Sequence, residues 1–122
     1  MNDLFFSVKI NDAAKKLGLT AVFVQERTAA LEQLNSGPAA VILDLNCASL
    51  DPLELIRTIR EDSATSGIAT IGFISHVQTE LRRKAEESGC DTVVARSVFA
   101  RDLPAILERS IYTLPVPAAE TS

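Results

Sequence analysis

The residue best placed to do chemistry is Asp44, the single carboxylate in the run Val41-Ile42-Leu43-Asp44-Leu45-Asn46. Ser36-Gly37-Pro38 precedes this run and Ala48-Ser49-Leu50-Asp51-Pro52 follows it. An uninterrupted apolar run between turn formers reads as a strand buried on both faces. Asp44 then lies at the carboxyl end of that strand, where open α/β sheets gather their functional groups. The plainer alternative is a strand-end carboxylate that caps the following loop, and the residues alone leave both open. Other reactive side chains offer less. Cys47 and Cys90 have neither CxxC spacing nor a set of histidines, and read as reduced, half-buried small hydrophobes. His76 is the single histidine and cannot by itself build a metal site or a catalytic triad. No Gly-x-Ser-x-Gly, GxGxxG or Walker-type loop occurs, which removes the common hydrolase and nucleotide-binding motifs.

The elements that must position Asp44 follow from periodicity. Asn2-Asp3 can cap a helix running to about Leu17, with Gly18 as its stop. Phe6, Ile10, Ala13, Ala14 and Leu17 share one face of it, while Leu4, Phe5 and Val8 lie off that stripe. A strand over Leu4–Val8 is the rival reading, and it leaves only about two helical turns before Gly18. Thr20–Val24 is β-rich, and Thr28–Leu34 carries helix formers. After the Asp44 strand, Asp51 can cap a helix over Leu53–Arg60, with Pro52 at its first position. Ile68–Ser75 reads as a buried strand, Glu80–Ser88 as a helix stopped by Gly89, and Thr92–Ala95 as a short strand. Arg101–Tyr112 is the last helix, with Leu103, Ile106, Leu107 and Ile111 inward. Short buried strands alternating with helices predict a parallel α/β sheet with right-handed crossovers. Residues 1–113 form one domain, and residues 114–122, without periodicity, a flexible tail.

The bulk numbers narrow the function classes. A chain of 122 residues suits a single domain. A net charge of −4 argues against non-specific nucleic-acid binding, and the basic cluster Arg82-Arg83-Lys84 sits among acidic residues on a predicted helix face. No apolar run approaches the roughly 18 residues that span a bilayer, and Met1-Asn2-Asp3 is no signal-peptide start. The expected setting is the cytoplasm, with neither nucleic acid nor membrane as partner.

Three stretches resemble the receiver domains of bacterial two-component response regulators. Val41-Ile-Leu-Asp44-Leu followed by Asp51-Pro-Leu-Glu-Leu-Ile-Arg-Thr-Ile-Arg60 is similar to the strand and helix around that family's phospho-accepting aspartate. Ile71-Gly-Phe-Ile-Ser75-His76 resembles its fourth strand, with Ser75 in place of the Thr/Ser that moves toward the phosphoryl group. Gly89-Cys-Asp-Thr-Val-Val-Ala-Arg96-Ser97-Val-Phe99 resembles the fifth, which usually ends Lys-Pro-Phe. The resemblance spans about residues 18–112 and keeps the mutual spacing of the three sites. It implies a flavodoxin-like sheet with helices on both faces, Asp44 as phospho-acceptor, and Ser75 and Arg96 as phosphoryl contacts.

The departures imply a degenerate member. The family's first strand ends in two adjacent carboxylates that hold Mg²⁺ with the acceptor. Counted back from Gly18, that pair falls at about Met1 and Asn2, so the first strand is expected to be missing or shortened. Asp44, the Asn46 carbonyl and Asp3 remain as a weak Mg²⁺ set, because the ion demands near-octahedral oxygen ligands. Arg96 replaces the lysine and Ser97 the proline after it, Ala48 and Pro52 stand where proline and glycine are usual, and Val93 replaces the switch aromatic. A guanidinium keeps the positive charge but cannot place it as an ammonium does, and an Arg96–Asp44 pair would mimic a settled state. The expected function is a stand-alone, non-enzymatic interaction module that binds a signalling partner, a histidine kinase or a downstream effector. A working phospho-acceptor at Asp44 and a structural subunit with receiver ancestry are the alternatives. Leu4, Phe5 and Val8 add the expectation of a homodimer through the first helix, with Phe5 as anchor.

Overall fold

A computed structural model of the chain describes residues 3–75 and 78–112, with the side chains of 3–6, 31, 111 and 112 outside that description. The first element, α1 (Asp3–Lys16), is helical throughout, so Leu4–Val8 is no strand. Gly18 ends it at φ 73°, a left-handed conformation that glycine adopts without the Cβ clash. The turn is closed by the Leu19 amide donating to the Ala14 carbonyl at 2.9 Å. Expectations that fall on Met1, Asn2, His76, the tail, or the side chains of Asp3, Leu4, Phe5, Phe6 and Ile111 lie outside the described residues.

Then come β1 (Ala21–Val24), α2 (Arg27–Asn35), β2 (Ala40–Asp44), α3 (Pro52–Glu61), β3 (Ala69–Ile74), α4 (Thr79–Ser88) and β4 (Thr92–Ala95). Each boundary falls within about two residues of the sequence expectation. The four strands are all parallel and ordered β1-β2-β3-β4. Where the resemblance puts a further strand between the first two, the described sheet is closed directly, with Ala21 beside Ala40 and Val24 beside Leu43.

Alternation along the strands sends residues to two cores. Phe23, Ile42, Ile71 and Phe73 face α1 and the C-terminal helices, meeting Ile10, Ala13, Ala14, Leu103 and Ile106. Val24, Val41, Leu43 and Ile74 face the other layer and meet Leu34, Leu55, Ile56, Ile59 and Ala85. Phe73 is fully buried, with its ring centroid 5.8 Å from that of Phe23 and 5.4 Å from that of Phe99. Burying one such ring is worth roughly 1.5–3 kcal/mol, so this trio anchors the face on which the site is built. At the opposite, amino edge, Arg60 donates to the Gly89 carbonyl at 2.8 Å and pairs with Asp91, tying α3 to the β4 approach.

Two expectations need correction. The last helix is not a single element from Arg101. The chain enters α5 (Arg96–Arg101) directly from β4, bends at Asp102, and starts again as α6 (Leu103–Tyr112). Pro104 explains the break: it has no N–H to donate to the Ala100 carbonyl and its ring would clash there in a continuous helix, so it fits only the first turn of a new one. Asp51 does occupy the N-cap position of α3, but its side chain makes no capping bond. Its backbone is left-handed at φ 50°, a region that aspartate enters more readily than most residues.

Candidate functional site

Pairing carries β2 to its end: the Leu45 amide still donates to the Phe73 carbonyl at 2.9 Å. Asp44 is therefore the last strand residue, level with Phe73 in the neighbouring strand and on the same face of the sheet. Both carboxylate oxygens are engaged. The Asn46 amide donates to Oδ1 at 2.9 Å, an Asx-type turn that starts the loop. Oδ2 lies 3.9 Å from Nη1 of Arg96, a charge contact rather than a hydrogen bond. The loop-capping reading of Asp44 is met at Oδ1, while Oδ2 is left to the charge contact.

Arg96 reaches Asp44 from two strands away. β4 ends at Ala95 and Arg96 opens α5, so its side chain must cross the row that holds Phe73. It does so with its guanidinium carbon 5.1 Å from the Phe73 ring centroid. The face of an aromatic ring attracts a cation, and the planar guanidinium suits it better than an ammonium would. Both charged side chains are about three-quarters buried, exposed by 24% at Arg96 and 22% at Asp44.

Ser75 follows the last residue of β3 and is exposed. Its backbone amide donates to Asn46 Oδ1 at 2.8 Å, while Asn46 Nδ2 donates to Gln78 Oε1 at 2.9 Å. The Asn46 side chain thereby ties the Asp44 loop to the segment that enters α4. Asp44, Ser75 and Arg96 all converge on the carboxyl edge of the sheet. Phe73 and Gln78 complete the site and were not singled out in the sequence. Phe73 is hidden there as one more apolar strand residue, and Gln78 as one polar residue in a loop. A crevice of about 40 Å³ between Phe23, Val24, Gln25, Asp44 and Cys47 opens beside the carboxylate.

The described donor set does not suit Mg²⁺. Among the described residues no three His, Cys, Asp or Glu side chains come together to hold a metal. Asp44 is one carboxylate with both oxygens already engaged, and the Asn46 carbonyl adds a single neutral ligand. Asp3 begins α1, with its side chain outside the description. Both cysteines are free thiols, Cys47 half-buried at this edge and Cys90 buried at the other.

No protein-family model and no curated protein matches the sequence. Solved structures do match. A response regulator in red light signaling of R. palustris superposes with a TM-score of 0.69 at 16% identity, covering 94% of this chain and 92% of its own. The fold is that of a response-regulator receiver. The Mn²⁺-bound form of the response regulator Rcp1 gives a TM-score of 0.66 at 15% identity, over 89% of this chain and 88% of that one. The phosphorylated cyanobacterial phytochrome response regulator RcpA gives 0.64 at 17% identity, over 80% and 78%. Likeness at this level establishes the receiver fold and leaves the chemistry to the residues. At its carboxyl edge the sheet of this chain carries a carboxylate at the end of β2, a hydroxyl residue just after β3 and an arginine just after β4. Among the described residues no helix is long and apolar enough to cross a membrane.

Proposed function

We propose that the chain is a receiver-like signalling module that acts by binding a protein partner, with Asp44 held in a charge-neutralised state by Arg96. The observation that carries this reading is the placement of Arg96 over Phe73 and against Asp44 Oδ2. Phosphoryl transfer to a carboxylate requires positioning and neutralisation of the incoming charge. Here the cation already neutralises the acceptor itself and the other oxygen closes the loop. The module is non-enzymatic and cytoplasmic, and its partner is a histidine kinase or a downstream effector. Neither nucleic acid nor membrane enters the reading.

A second reading, phospho-acceptance at Asp44, draws on the convergence of Asp44, Ser75 and Arg96 at one edge. Intact-mass measurement after incubation with Mg²⁺ and acetyl phosphate separates the two. The expected spectrum shows unmodified protein; an added phosphoryl group lost in Asp44→Asn would establish the second reading instead. A purely structural subunit is tested by capture of the histidine kinase or effector with and without Asp44→Ala, and identical capture would favour it. A homodimer through α1 also belongs to this proposal. Val8, 59% exposed, supports it, and light scattering tests it.

A further inference from the structure

The turn that joins the Asp44 strand to α3 is built against its own sequence. Asp51-Pro52-Leu53-Glu54 has the pattern of a capped helix start: aspartate at the cap, proline at the first helical position and glutamate at the third. Leu50, just before the cap, and Leu55, at the fourth helical position, are buried in the same core, as a stapled start requires. Yet the Asp51 side chain makes no capping bond, and Glu54 pairs instead with Arg57 at 3.3 Å. Asp51 is the one non-glycine residue with positive φ among the described residues. It stands at φ 50° and ψ 63°, whereas a capping residue has extended backbone.

The peptide plane between Leu50 and Asp51 is held at both ends. The Asp51 amide donates to the Ala48 carbonyl at 3.1 Å. The Leu50 carbonyl accepts from Arg27 Nη1 at 3.2 Å, and the Asp51 carbonyl lies 3.4 Å from the same nitrogen. Arg27 is exposed at the start of α2, so this catch comes from outside the loop. The loop itself is a run of tight turns that begins at Asp44. The Asn46 amide donates to Asp44 Oδ1, the Cys47 amide to the Asp44 carbonyl at 3.1 Å, and the Leu50 amide to the Cys47 carbonyl at 3.1 Å.

We propose that this loop is a two-position strap, held in the observed position by Arg27. In the second position the Leu50–Asp51 peptide plane turns over, φ of Asp51 becomes negative, and its carboxylate accepts from the Glu54 amide. The freed Asp51 amide donates to the Glu54 side chain. Leu50 keeps its place in the core, because turning one peptide plane leaves the flanking Cα atoms where they are. The left-handed backbone and the missing cap weigh against the observed position and the Arg27 bonds favour it, so the balance turns on Arg27. Turning the plane takes the Asp51 amide off Ala48 and loosens the turns that begin at Asp44. The strap thus sets the shape of the edge beside Asp44. Its consequence for a partner rests on the reading proposed above, whereas the strap itself is tested without a partner.

NMR of the full chain tests it. The one-bond Cα–Hα coupling of residue 51 reports the sign of φ, and hydrogen exchange at the Glu54 amide reports the cap. The wild-type chain should show positive φ at Asp51 and rapid exchange at Glu54, a first-turn amide without an intrahelical acceptor. In Arg27→Ala the sign should reverse, Glu54 exchange should slow about tenfold, and the Asn46 and Cys47 amide resonances should shift. Adding Asp51→Gly to Arg27→Ala should restore rapid exchange and the wild-type Asn46 and Cys47 resonances, since glycine adopts the left-handed backbone freely and cannot cap. Asp51→Thr, whose branched side chain disfavours positive φ and caps well, should reach the second position with Arg27 present. Should Arg27→Ala fail to fold, Asp51→Thr decides. Positive φ with rapid Glu54 exchange in either single variant overturns the proposal, and so does a reversed φ without protection of Glu54. A reversed φ with unchanged Asn46 and Cys47 amides overturns the link to Asp44.

Discussion

Replacing Arg96 offers the sharpest check on the site. At 3.9 Å and an effective dielectric of about 20, the attraction between Arg96 and Asp44 is roughly 4 kcal/mol before costs. Desolvation of two largely buried charges and the ordering of a long side chain offset most of it, and exposed pairs retain only about 0.2–1 kcal/mol. A net coupling of about 1 kcal/mol is expected here. The Phe73 contact adds about 0.5–1 kcal/mol. Arg96→Ala should therefore cost about 1–2 kcal/mol, and Arg96→Lys a smaller amount, because it keeps the charge and loses the planar stack. Asp44→Asn is the proper partner for a double-mutant cycle: an amide oxygen can still accept from the Asn46 amide, while the charge on Oδ2 is gone. The assay is urea unfolding followed by circular dichroism at low salt and at 1 M salt, where the screening length falls to about 3 Å. The Arg96–Asp44 coupling should shrink at high salt and the Phe73 contribution much less. A coupling below about 0.3 kcal/mol at low salt, the scatter expected of independent sites, would refute the charge-neutralised reading.

Two further predictions concern stability. A Cβ added at Gly72 would lie 2.8 Å from Leu45 Cδ1 and Cγ, so Gly72→Ala should destabilise by about 1–3 kcal/mol as an overpacked core site does. In a Leu45→Ala background the same change should become neutral or stabilising, and equal costs by urea unfolding in both backgrounds would disprove the contact. Burial pushes the Cys90 thiol up to about 11 from an ordinary value of 9.0, so the folded state holds that proton more tightly than the unfolded one. Its contribution is intact below pH 9 and is lost between pH 9 and 11, up to about 3 kcal/mol. Unfolding midpoints of Cys90→Ala should fall less steeply over that range, and parallel curves for the two proteins would contradict it.

Much of the fold was legible because the strands are short, buried on both faces, and punctuated by Gly18, Gly37 and Gly89, all at positive φ. The register that brings Asp44, Ser75 and Arg96 to one edge follows from parallel pairing of strands with these endings. What stayed hidden has identifiable causes. The α5–α6 break depends on Asp102 and Pro104, and a proline in a first turn fits both a helix starting at Arg101 and a fresh start at Leu103. The failure of Asp51 to cap α3 could not be read from its type, since the side chain follows a left-handed backbone set by the preceding tight turn. The roles of Phe73, Asn46 and Gln78 depend on contacts across strands and loops, which periodicity does not report.

The placement of Phe73 couples the site to the core. Its ring packs between those of Phe23 and Phe99 on one side of the molecule's interior, and it also supports the Arg96 guanidinium. Moving Arg96 away from Asp44 therefore removes the cation from the ring and the counter-charge from the carboxylate together. A lysine at this position would lack the planar stack and would be freer to follow a change of charge at Asp44. Arg96 is instead a cation held by the same aromatic trio that holds the sheet to α1, α5 and α6. A partner that docks at this edge meets a surface whose charge is fixed by the core packing. Its affinity should then depend on the Asp44–Arg96 pair being intact more than on any event at Ser75.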